Sequence, residues 1–144
     1  SSSEIRALLT HGKLNTATQM LGREFSISGK IIHGHQKGRT IGFPTINIPI
    51  KRKISPVLGV FAATVEIQGM VFQGVCNIGK RPTINGKKIL LEVFLFNFDR
   101  DVYGFEAKVV FKYKIRDEER FDSFEALKQK ISLDAQQAKA YFKV

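Results

Sequence analysis

Phe105 to Arg116 alternates in character. Phe105, Ala107, Val109, Phe111, Tyr113 and Ile115 take one side, and Glu106, Lys108, Lys112, Lys114 and Arg116 the other. In an extended chain successive side chains point to opposite faces, so this period predicts a strand with one face on a core and one in water. Such a strand needs partners and a layer to cover its apolar face.

The partners are legible. Phe25 to His33 is extended and rich in β-formers, and Val60 to Gln68 and Met70 to Ile78 flank Gly69, a candidate tight turn. Asn85-Gly86 is a strong hairpin signal and feeds Lys87 to Phe98. The covering element follows the alternating strand. Asp122 and Ser123 are N-cap candidates, and Phe124, Leu127, Ile131, Ala135, Ala138 and Phe142 recur at helical steps. Successive strands followed by one amphipathic helix predict a mainly β fold, an antiparallel barrel or curled sheet with that helix packed on it. Residues 1–22 read differently, as two short helices: Ser1-x-x-Glu4 has capping-box spacing, and Asn15 and Gly22 could cap the second.

With 144 residues, 43% of them hydrophobic and 25% charged, the chain can bury one core and is no low-complexity polymer. No apolar run reaches the ~20 residues of a bilayer-spanning helix. The single cysteine, Cys76, cannot form an intrachain disulfide. The expectation is a soluble cytoplasmic protein. Lys and Arg number 23 against 13 Asp and Glu, giving a net charge of +10. That excess suits a phosphate-bearing partner or a solvated basic surface, and charge does not choose between them.

Chemistry concentrates in Gly34-His-Gln-Lys-Gly38-Arg-Thr-Ile-Gly42-Phe-Pro-Thr45-Ile-Asn47. Glycines every four residues let backbone N–H groups approach an anion, and Lys37, Arg39 and Thr40 add charge and a donor. The spacing is neither a Walker A loop nor a dinucleotide fingerprint, and a plain connecting loop would also account for the glycines. Thr45 and Asn47, two apart, would point to one side of a strand and offer neutral oxygens suited to Mg²⁺ beside nucleotide phosphates; a local turn after Pro44 is the alternative. Glu92 interrupts the apolar run Ile89 to Phe96. A carboxylate there is ion-paired, lines a cavity wall, or holds its proton to higher pH than usual, and the last two are conditions a general base needs.

In order along the chain stand Gly34-x3-Gly38-Arg39-x2-Gly42-Phe-Pro-Thr45-x-Asn47, Asn77-Ile-Gly79-Lys-Arg81-Pro82-Thr83 and Leu91-Glu92. Asp101-x-Tyr103-Gly104, Ile115-Arg116-x-Glu118-x2-Phe121 and Leu127-x3-Ile131-x2-Asp134 follow. This ordered set, from about Gly22 to Phe142, resembles riboflavin kinase, specifically the C-terminal kinase module of bacterial bifunctional FAD synthetase. The resemblance implies a six-stranded antiparallel Greek-key barrel with a C-terminal helix, and the reaction riboflavin + ATP → FMN + ADP. It implies that Gly34, Lys37, Gly38, Arg39, Thr40, Gly42, Thr45 and Asn97 meet ATP, and that Thr45 and Asn47 hold Mg²⁺. Glu92 would be the base, and Asn77, Arg81, Arg116 and Phe121 would meet the flavin. Residues 1–22 would be a helical linker from a missing FMN adenylyltransferase module, and 23–144 the kinase domain. Ile46 stands where the family commonly has Ala, and Asn97 where relatives often carry Asp; Ile46 should point away from Thr45 and Asn47. Neither nucleic acid nor membrane is an expected partner. The rival readings are a basic barrel that binds single-stranded nucleic acid and a flavin-binding module without catalysis.

Overall fold

The computed structural model describes residues 25–33, 42–51 and 57–144. The helices expected within 1–22, and Gly34, Lys37, Gly38, Arg39 and Thr40, lie outside the described residues. Among the described residues six strands precede one helix: β1 (Ser26–Lys30), β2 (Thr45–Ile50), β3 (Gly59–Ile67), β4 (Met70–Thr83), β5 (Gly86–Leu95), β6 (Glu106–Arg116) and α1 (Phe124–Phe142). The strands form one antiparallel sheet in the order β1-β6-β3-β4-β5-β2. Within it β3, β4 and β5 form a meander and β6 returns beside β3, which is the Greek-key order.

The sheet curls until its ends nearly meet. The Ile32 amide donates to the Asn47 carbonyl at 2.8 Å. Gly29 of β1 sits against Ile48 of β2 so closely that a Cβ at that position would stand 2.6 Å from Ile48 Cγ2. The barrel interior holds Ile46, Ile48, Phe61, Val65, Cys76, Ile78, Leu91, Val93, Leu95 and Val109 among others. A second apolar cluster lies on the outer face. There Ile131, Ala135 and Ala138 of α1, with Leu127 and Phe142, cover Val60, Ala62, Val75, Phe94 and Phe96. β3, β4 and β5 are therefore apolar on both faces for much of their length, as strands buried between a barrel core and a helix must be.

Local signals set the element boundaries, with some shifts from expectation. Gln68 and Gly69 both take positive φ, 50° and 79°, which makes the two-residue β3–β4 turn compatible with strand twist. At the next hairpin Thr83 pairs with Gly86, so Ile84 and Asn85 form the turn and Gly86 opens β5. The Asn-Gly signal thus marks the hairpin one residue late. β5 ends at Leu95 rather than running to Phe98. Of the two N-cap candidates it is Ser123 that caps α1, its Oγ accepting from the Ala126 amide at 3.1 Å.

The alternating strand carries the main correction. Ala107, Val109 and Phe111 face the core, but register shifts between Val60 and Phe61 and between Ala62 and Ala63 introduce bulges opposite them in β6. Each bulge inserts an extra residue and reverses which face the following side chains take. Tyr113, expected inside, is 49% exposed and stacks on Tyr141 of α1. Arg116, expected in water, keeps the outer face because the second bulge undoes the reversal of the first, but there it pairs with Asp134 of α1 and its side chain is only 14% exposed. Phe105, just before β6, is also exposed.

Candidate active site

Antiparallel register lines up one polar row across the outer face of the barrel. Asn47 of β2 opposes Glu92 of β5, Glu92 opposes Asn77 of β4, Asn77 opposes Val60 of β3, and Val60 opposes Arg116 of β6. Directly opposed residues share a face, so these side chains stand side by side on the outer face, and Arg116 at one end of the row pairs with Asp134 of α1. The neighbouring row is Thr45, Phe94, Val75 and Ala62. Thr45 and Asn47 thus occupy one face, while Ile46 turns into the barrel core at 4% exposure.

Glu92 is both ion-paired and at a cavity wall. It accepts from Arg81 Nη2 at 2.9 Å, and it lines a cleft of about 920 Å³ between the barrel and α1. Arg81 is shared, because its Nη1 donates to Glu118 Oε2 at 3.1 Å. Burial of the guanidinium opposes its charge, but the hydrogen bonds and negative charges of Glu92 and Glu118 outweigh that and raise it above the ordinary arginine value. Glu118 is seated by Gly79, since any Cβ there would occupy the space of the Glu118 carboxylate. The segment after β6 is thereby pinned to β4 over the cleft.

Arg116 is held just as firmly. Its Nε and Nη2 donate to both Asp134 oxygens at 2.8–3.1 Å, and its guanidinium lies 5.6 Å from the Phe121 ring centroid. Asp134 and Asn47 are the buried polar side chains among the described residues. Beneath Arg81 and Arg116 the cleft is walled by Val60, Phe94, Leu127 and Ile131. Asn77, Arg81, Arg116, Phe121 and Glu92 therefore line one cleft with apolar walls and a polar row along its floor. The Asn77 Oδ1 on that floor is buried and has no hydrogen-bond partner among the described residues.

A second cleft, about 650 Å³, opens where β1 and β2 meet. His33 and Gly42, which bracket residues 34–41, both line it, with Thr45, Asp99 and Tyr103. His33 stacks on Tyr103 with ring centroids 3.7 Å apart. The clefts adjoin across one strand pair: Thr45 lines the second and its register partner Phe94 lines the first. Thr45 Oγ1 leans toward the Phe43 carbonyl at 3.4 Å. Asn97 is exposed in a left-handed turn, φ 50°, and lines neither cleft.

No cluster of three His, Cys, Asp or Glu side chains is arranged for a metal ion among the described residues. The Thr45–Asn47 pair fits a divalent ion of another kind: two neutral oxygen side chains on one face, one of them buried, beside a carboxylate. Such a set suits a hard cation whose charge is balanced by phosphates. Sequence patterns assign no role to Glu118 or Asp134, the two carboxylates that fix the cleft's arginines. For Asp134 a signal existed, a carboxylate on the apolar stripe of α1 between Ile131 and Ala135.

The chain matches the Flavokinase (riboflavin kinase) family profile over residues 21–142. It is 48% identical over 143 residues to the bifunctional riboflavin kinase/FMN adenylyltransferase of Haemophilus influenzae, covering 99% of this chain and 46% of that protein. The Escherichia coli protein of the same description is 45% identical over 145 residues, with the same coverage. The chain thus spans about half the length of the curated relatives it matches. A solved structure described as a macrolide-efflux protein from Streptococcus pneumoniae superposes with a TM-score of 0.85 at 33% identity, over 96% of this chain and 46% of that one. Riboflavin kinase from Trypanosoma brucei superposes with a TM-score of 0.55 at 25% identity, over 82% of this chain and 79% of that one. A family profile that spans nearly the whole barrel and helix, together with these relatives, makes the chain a member of the riboflavin kinase family.

Proposed function

We propose that this chain transfers the terminal phosphate of ATP to the terminal hydroxyl of the riboflavin ribityl chain, giving FMN and ADP. The observation that carries the reading is the position of Glu92, on the floor of the larger cleft and one register pair from the Thr45–Phe94 seam with the smaller one. A flavin in the larger cleft has apolar walls for its ring and a carboxylate for its hydroxyl. A nucleotide entering by His33 and Gly42 meets Thr45, and in the sequence those two residues flank the segment that carries Lys37 and Arg39.

Phosphoryl transfer asks the protein for positioning and charge neutralisation above all. Glu92 orients the hydroxyl and accepts its proton as the new O–P bond forms and the bond to ADP breaks. Arg81 and Arg116, both fixed by carboxylates, hold their positions without rearranging. Mg²⁺, held by Thr45 and Asn47, would supply charge neutralisation at the phosphates.

The test is product analysis. Protein incubated with riboflavin, ATP and Mg²⁺ should yield FMN and no FAD by chromatography, adenylyl transfer being left to another part of the longer relatives. Folded protein that forms no FMN overturns the proposal.

A further inference from the structure

Gly79 leaves a gap in the outer face of β4, between Asn77 and Arg81. Its backbone does not call for glycine, because its φ lies outside the left-handed region. A glycine inside a strand weakens the strand and often marks a close approach by another group. Here that group is the Glu118 carboxylate, which lies where a Cβ would stand. From this seat Glu118 Oε2 accepts from Arg81 Nη1 at 3.1 Å, and the Lys80 carbonyl accepts from the same nitrogen at 3.0 Å. Arg81 Nη2 reaches Glu92, and it meets one oxygen, Oε1, at 2.9 Å. A guanidinium beside a carboxylate commonly docks fork to fork and occupies both oxygens. Arg81 is held away from that geometry.

Resting on the proposed kinase reading, we infer that Gly79 and Glu118 are positioning residues for the transfer: together they hold Arg81 to a single oxygen of Glu92 and leave the other oxygen to the substrate hydroxyl. Both act through Arg81. A base whose two oxygens are taken by a guanidinium must give up a charge-assisted bond before it can receive a proton. A ground-state contact that has to be broken on the way raises the barrier. The same geometry accounts for the bare Cα at 79, since a side chain there and the Glu118 carboxylate compete for one space. What a methyl at 79 would meet is the far end of a flexible side chain, not backbone. Gly79→Ala should therefore fold, with Glu118 displaced and Arg81 released to turn both arms on Glu92.

The experiment measures FMN formation at steady state, and riboflavin affinity by quenching of flavin fluorescence without ATP. The variants are Glu118→Ala, Glu118→Gln, Gly79→Ala, and Gly79→Ala combined with Glu118→Ala. Glu118→Ala and Gly79→Ala should each lower kcat by about ten- to a hundredfold, with riboflavin affinity largely kept. Glu118→Gln, whose amide oxygen can still accept from Arg81 Nη1, should recover most of the turnover. In the double variant the methyl enters vacated space, so Gly79→Ala should add no further loss to that of Glu118→Ala. If Glu118→Ala does not fold, Gly79→Ala still decides the matter. Native kcat in Gly79→Ala or Glu118→Ala overturns the inference. So does a loss that falls on affinity alone, or one that Glu118→Gln fails to restore, and in each case the kinase reading stands. Native protein that forms no FMN overturns both.

Discussion

Glu92 shows how much one residue in an unexpected place can say. Its neighbours in the run Ile89 to Phe96 are apolar, so the carboxylate had to be paired or at a cavity wall, and it is both. Its partner was not legible, because Arg81 lies on β4, eleven residues away along the chain, and only the β4–β5 register brings the two together. Glu92→Gln keeps the shape and one acceptor while removing the base. Turnover should fall by about 10²–10⁴-fold, with riboflavin affinity largely kept. Steady-state kinetics beside a fluorescence titration separates the two, and unchanged turnover would remove Glu92 from the mechanism. Thr45 and Asn47 were legible as a pair because strand periodicity alone puts them on one face. Asn97, which the resemblance implies at the nucleotide, stands exposed in a left-handed turn just after β5.

At the scale of elements, β6 was the most readable strand and also the one most misread. Its first half obeys the alternation, whereas the bulges in its second half turn Tyr113 outward and set Lys114 opposite Phe61, then return Arg116 to the outer face, where it meets Asp134 of α1. Nothing in the alternation itself announces a bulge, since the extra residues, Lys112 and Ile115, are ordinary strand residues. The energetic seam between β6 and α1 is the Arg116–Asp134 pair, bidentate and nearly sealed from water. Removing one partner of a buried pair leaves a charge without compensation. Asp134→Ala should therefore cost about 3 kcal/mol of folding stability, read from the denaturant midpoint. It should also weaken riboflavin binding, because Arg116 and the Phe121 ring beside it lose their anchor. A midpoint like that of the native protein would mean that α1 is held by its apolar stripe alone.

Closure is a property of the whole molecule, and only its ingredients were visible beforehand. The succession of strands and a terminal helix predicted a barrel, but the Ile32–Asn47 bridge that closes it joins residues that no local pattern links. Cys76 reports on that closure. It sits on β4 between Phe61 of β3 and Val93 of β5, with no exposed surface, and burial pushes its thiol well above the usual range despite a compensating backbone hydrogen bond at Phe61. Only the thiolate attacks a disulfide reagent, and only an opened barrel admits one. Labelling in native buffer should therefore run at least about a thousandfold slower than in urea. The raised value also fixes a sign. Below the unfolded thiol's value, about 8.5, both states keep the proton and the group has no effect on stability. Above it the unfolded chain ionises while the native thiol does not, so stability falls by up to about 1.4 kcal/mol per pH unit from this group. Cys76→Ala should lower stability by leaving a cavity, yet flatten that alkaline slope. Labelling of native Cys76 as fast as in urea would mean that the sheet does not close around it, and an alkaline slope equally steep in the alanine variant would assign the titration to another group.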